Sequence, residues 1–331
     1  MKKKNLTFIV PTKNRSFFLK RLLKDCKKKL KNINPYYLVI DASNDHNYLI
    51  NQKFVASLKR VKIIKQKTKG IQMSCLEASK YIDTKYVSFL YDDDVLGNYV
   101  TDIYYSNFKN DNIFSFGTGI IQDIKKKIRF KKLAYLNVPK YEMLSAYFGK
   151  NVDKVLKTRG INSKTILPVS PICTSFKTIF LKKWKKILFN FTRENNFRKY
   201  FFFEKDVGPD MLVYLLNIHN SKKIVKFFTP YSVKFSSHDK SISIIYGNNF
   251  LRIGYWLARI CFFNNSKLEN REFRKFSYNY LIIIGLILIF TNIFNFYYLK
   301  NVLKEFLKLL KLNEKISIKL IISYFYHKLL L

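Results

Sequence analysis

The chain has 331 residues, more than one average domain, and carries 61 lysines and arginines against 22 acidic residues, a net charge of +39. This excess favours a polyanionic partner such as nucleic acid, an anionic membrane or a phosphorylated substrate. Nucleic-acid binding is not expected, because the basic residues follow no helix-turn-helix, zinc-finger or RNA-binding pattern. The four cysteines form no Cys-x-x-Cys pair, which argues against structural zinc and a disulfide framework and indicates a reducing compartment.

The N-terminal part of the chain alternates strand and helix patterns. Apolar runs predict strands at 6–10, 37–41, 61–65 and 86–90, and helical spacing predicts helices at 16–30, 51–58 and 72–80. The first apolar run is too short for a signal peptide and is closed by Pro11, so we expect the N-terminus to stay in the cytoplasm. The alternation predicts an α/β fold with a mostly parallel sheet flanked by helices.

Polar and charged residues directly follow three of the predicted strands. They are Pro11 to Arg15, Asp41, and the triplet Asp92, Asp93 and Asp94, which we call the acidic tip. Ligands of parallel sheets bind beyond the carboxyl ends of the strands, so these residues are expected to share one site. Three adjacent carboxylates repel one another, and a divalent cation bound through oxygens accounts for them in so basic a chain. An exposed acidic turn is the alternative.

Residues 98–247 continue the alternation with helices at 98–108 and 141–156, strands at 113–124 and 225–235, and a basic loop at 125–132. Pro209 suits the first turn of a helix, which is predicted at 211–218 with Asp210 near its start. His238 follows the last predicted strand in a polar loop.

The sequence changes character near residue 248. A helix is predicted at 250–263, and the most apolar run lies within 278–299, with the polar residues Thr291, Asn292 and Asn295 after its uninterrupted part. At 302–312 lysines alternate with leucines as in a basic amphipathic helix. Attachment to an anionic membrane surface, packing as core helices, and a transmembrane span all remain open. We therefore expect a catalytic domain at 1–247, with its nucleotide-binding half at 1–125 and its acceptor half at 126–247, followed by a helical region at 248–331.

Four motifs together resemble the family 2 glycosyltransferases. They are Phe8-Ile-Val-Pro-Thr-Lys-Asn-Arg15, the acid Asp41 ending the second strand, Lys69-Gly70 before a helix, and Phe89-Leu-Tyr-Asp-Asp-Asp94. The resemblance implies a GT-A fold and transfer of a sugar from a nucleoside-diphosphate donor. Tyr91 stands where the family commonly has the first acid of this motif.

The resemblance also implies a donor site. Pro11, Thr12, Asn14 and Arg15 would line the base and ribose, Asp41 would accept a hydrogen bond from the base, and Lys69 and Gly70 would approach the phosphates. A carboxylate suits an imide N–H because it only accepts hydrogen bonds. A turn-forming role for Asp41 is the alternative.

A metal site is implied around the acidic tip. Asp94 would be a direct ligand, Asp92 or Asp93 would lie near the ribose or the ion, and His238 would complete the shell or contact a phosphate. Imidazole is an acceptable ligand for Mn²⁺ and a less natural one for Mg²⁺. The alternative for His238 is a histidine in a surface loop.

Inverting transfer requires a general base for the acceptor hydroxyl. The family places an acid at a helix start, which matches Asp210 in Gly208-Pro-Asp210, with Asp206 and Glu204 as rivals. A helix-capping aspartate is the alternative for Asp210.

These inferences predict a metal-dependent, inverting glycosyltransferase that uses a nucleoside-diphosphate sugar, with UDP favoured. The expected acceptor is a glycan or lipid-linked precursor of a surface polysaccharide, and the expected location is the cytoplasmic face of the cell membrane. A sugar-phosphate nucleotidyltransferase is disfavoured because residues 11–16 lack glycine. A non-enzymatic basic protein of the membrane surface is the remaining alternative.

Overall fold

The first half of the fold is built on a five-stranded sheet. The structure is a computed structural model that describes residues 6–67, 70–149, 167–168, 170–238 and 247–312. The strands are β1 (Leu6–Thr12), β2 (Tyr36–Asp41), β3 (Val61–Lys65), β4 (Tyr86–Phe89) and β8 (Phe176–Lys177). Their order is β3-β2-β1-β4-β8, with the first four parallel and β8 antiparallel to β4. The predicted mostly parallel sheet is confirmed.

The connecting helices of this half also follow the sequence pattern. They are α1 (Ser16–Lys29), α2 (Asp45–Ala56), α3 (Ile71–Ala78) and α4 (Val100–Lys109). Helix α1 buries residues at helical spacing, namely Leu19, Leu22, Leu23 and Cys26. Helix α2 begins earlier than predicted because the side chain of Asn44 accepts a hydrogen bond from the amide of Asn47 and caps it.

A second sheet begins directly after the acidic tip and connects it to the C-terminal part of the domain. Its strands are β5 (Val95–Leu96), β6 (Phe114–Asp123), β7 (Ala134–Pro139) and β9 (Ile224–Ser237). Strand β9 pairs with the other three, running parallel to β6 and antiparallel to β5 and β7. Because β5 directly follows the acidic tip and pairs with the end of β9, the tip lies beside His238.

The remaining helices share their core with the first sheet. They are α5 (Lys140–Tyr147), α6 (Thr178–Thr192), α7 (Asn196–Lys199), α8 (Pro209–Asn220), α9 (Gly247–Asn265), α10 (Arg271–Thr291) and α11 (Phe296–Leu310), with a π-helical turn at Tyr200–Glu204. One hydrophobic cluster runs from Phe89 on β4 through Leu215 to Trp256 and Leu281. The indole of Trp256 donates to the carbonyl of Leu281 at 2.9 Å, which ties α9 to α10.

The apolar stretch at 278–299 is divided between two helices. Helix α10 ends at Thr291, and the side chain of Asn295 caps a separate helix, α11, by accepting from the amide of Tyr298. The polar residues Asn292 and Asn295 interrupt the apolar run, and both favour helix ends. The predicted helix at 141–156 is described only in part: α5 ends at Tyr147, and residues 150–156 lie outside the described residues.

Among the described residues, α10 alone is long and apolar enough to cross a membrane by length and composition. Half of its most apolar window is buried inside the protein, a degree of burial that a helix of a soluble core also shows.

Candidate active site

Asp92 sits at the centre of the acidic tip and is held by the N-terminal loop. Its Oδ2 accepts a hydrogen bond from the hydroxyl of Thr12 at 2.7 Å, and its Oδ1 lies 3.1 Å from Nη1 of Arg15. Burial raises the pKa of Asp92, while the hydrogen bond from Thr12 and the charge of Arg15 oppose the increase. Both carboxylate oxygens therefore have partners within the protein.

Asp93 joins the N-terminal loop to the C-terminal loop. Its Oδ2 lies 2.9 Å from Nη1 of Arg15 and 2.9 Å from Nε2 of His238. Arg21 donates to the backbone carbonyl of Asp93 at 3.1 Å. The proximity of His238 to the acidic tip, which the family resemblance implies, is thus present in the fold.

Asp94 points toward the second sheet. Its Oδ1 accepts a hydrogen bond from the amide of Ser236 at 3.1 Å, and the residue is only 6% exposed. Burial raises the pKa of Asp94 well above its usual range, and repulsion from Asp93 adds to the increase. A bound cation would offset this cost.

The donor set around Asp93 fits two ligands of one divalent ion. In an octahedral shell with bonds of about 2.1 Å, adjacent ligand atoms lie about 3 Å apart, close to the 2.9 Å between Asp93 Oδ2 and His238 Nε2. Carboxylate oxygen with imidazole nitrogen suits Mn²⁺. Within the described ranges, no group of three or more acidic, histidine or cysteine side chains is arranged around a common point for an ion. Of the predicted ligands Asp94, Asp92 and His238, Asp92 is instead engaged by Thr12 and Arg15, and Arg15 also contacts Oδ2 of Asp93.

Asp41 organises the loop beside the tip. Its Oδ1 accepts from the amide of Ser43 at 2.8 Å and its Oδ2 from Nδ2 of Asn51 at 2.7 Å. The hydroxyl of Ser43 accepts from the amide of Asn14 at 2.7 Å, so the two strand ends are joined. Asp41 is fully buried, and these contacts match the turn-forming alternative. Contact between Asp41 and a nucleotide base stays a prediction.

Asp206 caps the N-terminus of α3. Its two oxygens each accept a backbone hydrogen bond of 2.9 Å, one from Ile71 and one from Gln72. Gly70 precedes them with a φ of +98°, where a Cβ would stand 2.6 Å from the carbonyl oxygen of Phe203. The carboxylate thus occupies the helix end that was expected near the donor phosphates, and Lys69 lies outside the described residues.

Asp210 occupies the first turn of α8, as predicted from Pro209. Burial raises its pKa to about 7, although it accepts a 2.9 Å hydrogen bond from the amide of Met211. Tyr91, which directly precedes the acidic tip, interacts electrostatically with Asp210. Burial raises the pKa of Tyr91 well above its usual range, and the surrounding charges of Cys75, Asp210, Asp94 and Asp206 add to the increase.

The loop before Asp210 rests on the C-terminal helices without room for a side chain. A Cβ on Gly208, whose φ is +109°, would stand 2.4 Å from the carbonyl oxygen of Gly254 on α9. A Cβ on Gly254 would stand 2.4 Å from Cγ1 of Val207. The position of Asp210 therefore depends on two glycines that meet backbone to backbone.

A cavity of about 940 Å³ adjoins the contact between Asp206 and α3. It is lined by Met73, Phe189, Asn190, Thr192, Arg193, Lys199, Phe203 and Glu204. Met73 lies on α3, and Phe203 and Glu204 belong to the π-helical turn that precedes Asp206. Its walls combine apolar surface with two basic side chains and one acidic side chain.

Several contacting residues were missed in the sequence. Arg21, Asn51 and Ser236 each bond the acidic tip or Asp41, but none belongs to a recognisable motif. The only sequence signal for Arg21 was its place on the predicted helix α1, which follows the loop that contains Arg15. Among the predicted residues, Thr12 and Arg15 contact the acidic tip directly, and Asn14 joins the Asp41 loop.

Comparison with known proteins shows which family and which structures this chain resembles. Residues 7–163 match the model of glycosyl transferase family 2. S. aureus TarS 1–349 in complex with UDP-GlcNAc is similar in structure, with a TM-score of 0.52 and 15% identity over 84% of this chain and 71% of that one. The complex of TarS 1–349 with UDP gives a TM-score of 0.51 and 14% identity over 84% and 70% of the two chains. No curated protein sequence matches at a significant level. Taken with the sheet order, these findings show that residues 7–163 match glycosyl transferase family 2 and that the fold is of the GT-A type.

Proposed function

We propose that this glycosyltransferase transfers a sugar from a UDP-sugar to a hydroxyl of a glycan or lipid-linked acceptor, with inversion at the anomeric carbon and with the help of a divalent cation. The observation that carries the proposal is Asp210, placed at the start of α8 with a pKa of about 7. A general base works best when its pKa lies near the working pH, because it is then both ionised and basic.

Asp210 is favoured over Asp206 as the base. Both oxygens of Asp206 are held by the amides of Ile71 and Gln72, which fixes this carboxylate as the cap of α3. Asp210 and Asp94 both interact electrostatically with Tyr91, which places Asp210 in the neighbourhood of the acidic tip. Asp206 is then a positioning residue for the loop at Gly70.

The family implies a divalent cation, and Asp93 and His238 would hold it, with Asp94 beside them. When bound, the ion would neutralise the charge that develops on the departing diphosphate. Arg15 already neutralises part of the tip through Asp92 and Asp93, and it is half-exposed toward the site. It is therefore placed to contact a donor phosphate.

The structural neighbours support UDP as the nucleotide, because TarS was solved with UDP and with UDP-GlcNAc. The cavity lined by Met73, Phe203 and Glu204 has a volume of about 940 Å³, which is large enough for an acceptor bigger than a monosaccharide. Arg193 and Lys199 in its wall suit an acceptor that carries phosphate groups.

UDP release tests the proposal. The purified protein, supplied with Mn²⁺ and glycan or lipid-linked acceptors, should release UDP from at least one UDP-sugar of a panel. Asp94→Ala and Asp210→Asn should lose this activity while remaining folded, and Asp83→Asn, a change at an exposed acid on another loop, should keep it. The anomeric configuration of the product, read by NMR, should be inverted.

Two results would reject the proposal. One is the absence of both UDP release and Mn²⁺-dependent UDP binding by calorimetry. The other is full activity of Asp210→Asn across the pH range, since an amide cannot accept the proton of the acceptor hydroxyl.

A further inference from the structure

An apolar surface stands out where α10 turns into α11. Its large side chains face solvent: Phe294 is fully exposed, Phe296 is 77% exposed, Phe290 66% and Ile293 57%. We call these four residues the apolar patch. Soluble proteins rarely present so many large apolar side chains side by side unless they contact another surface.

A row of lysines continues from the apolar patch along the outer face of α11. At about 100° per residue, Phe296, Leu303 and Leu307 form one exposed stripe of the helix. Four exposed lysines lie on one side of this stripe, namely Lys300, Lys304, Lys308 and Lys311. The outer face of the helix is therefore apolar along one line and basic along the next.

The inner face of α11 fixes which side points outward. Val302, Phe306 and Leu309 are buried, and the ring of Phe306 packs against Gly285 of α10 so closely that a Cβ there would stand 2.6 Å from it. The buried carboxylate of Glu305 is paired with Arg198 of α7 and accepts from Nδ2 of Asn195 at 2.6 Å. The outward face is thus held in place by the folded protein and needs no rearrangement to be presented.

The charge pattern selects one kind of partner. Lysine stems lie along apolar surface while their ammonium groups reach outward, which suits the boundary between acyl chains and anionic headgroups. Each lysine near such a surface strengthens binding electrostatically. A second copy of the chain is disfavoured, because each copy carries a net charge of +39.

We propose that the apolar patch and the lysine row of α11 dock the enzyme on an anionic lipid bilayer. Phe290, Ile293, Phe294 and Phe296 insert among the acyl chains, and Lys300, Lys304, Lys308 and Lys311 contact the headgroups. This docking holds independently of the donor or acceptor sugar. It makes the enzyme a peripheral protein that reaches its acceptor at the membrane surface.

Vesicle sedimentation tests the docking surface with matched variants. The wild-type protein should pellet with phosphatidylcholine vesicles that contain phosphatidylglycerol and much less with phosphatidylcholine alone, and added salt should release it. Phe294→Ser with Phe296→Ser should weaken partitioning at least about tenfold. Lys300→Gln with Lys304→Gln should weaken it about fivefold for each lysine removed.

The controls carry the same changes on another helix. Ile179→Ser, at a residue 66% exposed on α6, and Lys182→Gln with Lys186→Gln should leave vesicle binding within about twofold of the wild type. Circular dichroism melting and UDP binding verify that every variant remains folded. Equal losses in the control and α11 variants would overturn the proposal, because binding would then follow overall charge. Wild-type protein that stays in the supernatant would also overturn it, as would a dimer in sedimentation that Phe294→Ser dissociates.

Discussion

Replacing Asp210 by asparagine should stabilise the protein and inactivate it. The carboxyl group of Asp210 titrates near pH 3.8 in an unfolded chain and near pH 7 in the fold. Between these values the folded protein holds more protons than the unfolded chain, so the free energy of unfolding falls as the pH rises. Above about pH 7 both states are ionised, and the destabilisation is complete.

The magnitude follows from the size of the shift. A shift of about 3 pKa units corresponds to at most about 4 kcal/mol of stability lost by ionising Asp210 in the fold. Asparagine keeps an oxygen to accept from the amide of Met211 and does not titrate in this range. Asp210→Asn should therefore be increasingly more stable than the wild type from about pH 4 to pH 7, with a constant difference above pH 7.

The assay is urea unfolding of both proteins across this pH range, combined with UDP release. Wild-type kcat/KM should rise with pH and level off above about 7, because the base must be ionised. Asp210→Asn should lose a factor of about 10² to 10⁴. Asp83→Asn should change neither curve. A stability difference between Asp210→Asn and the wild type that is independent of pH would refute the assignment of a buried, ionisable Asp210.

Three further substitutions probe the rest of the site. Arg15→Ala removes the guanidinium group that pairs with Asp92 and Asp93, so the free energy of unfolding should fall by about 1–3 kcal/mol. The donor affinity measured by calorimetry should fall as well. An unchanged donor affinity would show that Arg15 is not part of the donor site. Asn51→Ala removes a partner of the fully buried Asp41 and should cost about 1–3 kcal/mol in urea unfolding, whereas no loss would mean that the carboxylate is satisfied another way. Gly254→Ala forces a Cβ against Val207, which should lower the free energy of unfolding by about 1–3 kcal/mol. It should also lower kcat more than it changes KM. A kcat equal to that of the wild type would show that the adjoining loop does not position the base.

The sequence predicted what depends on local patterns. Asp92 to Asp94 were placed correctly at the end of a strand, because an apolar run that breaks into acids has few other structural explanations. Asp210 was placed in the first turn of a helix because Pro209 and Gly208 precede it. These inferences need only a few neighbouring residues.

Contacts between distant segments were not predictable in the same way. The approach of His238 to Asp93 across 145 residues was implied by the family resemblance alone, because it depends on β5 pairing with β9, and β5 is only two residues long and has no periodicity to detect. Asn51 reaches Asp41 only because α2 folds back against β2.

The meeting of Gly208 and Gly254 limits how this enzyme could be re-engineered. Exchanging residues 248–331 for the C-terminal helices of another transferase would place a new side chain at position 254 unless the donor helix also had glycine there. That Cβ would stand 2.4 Å from Val207, two residues before the proline that starts the helix of Asp210. A chimera designed to redirect the enzyme to another surface would therefore change its turnover as well as its location.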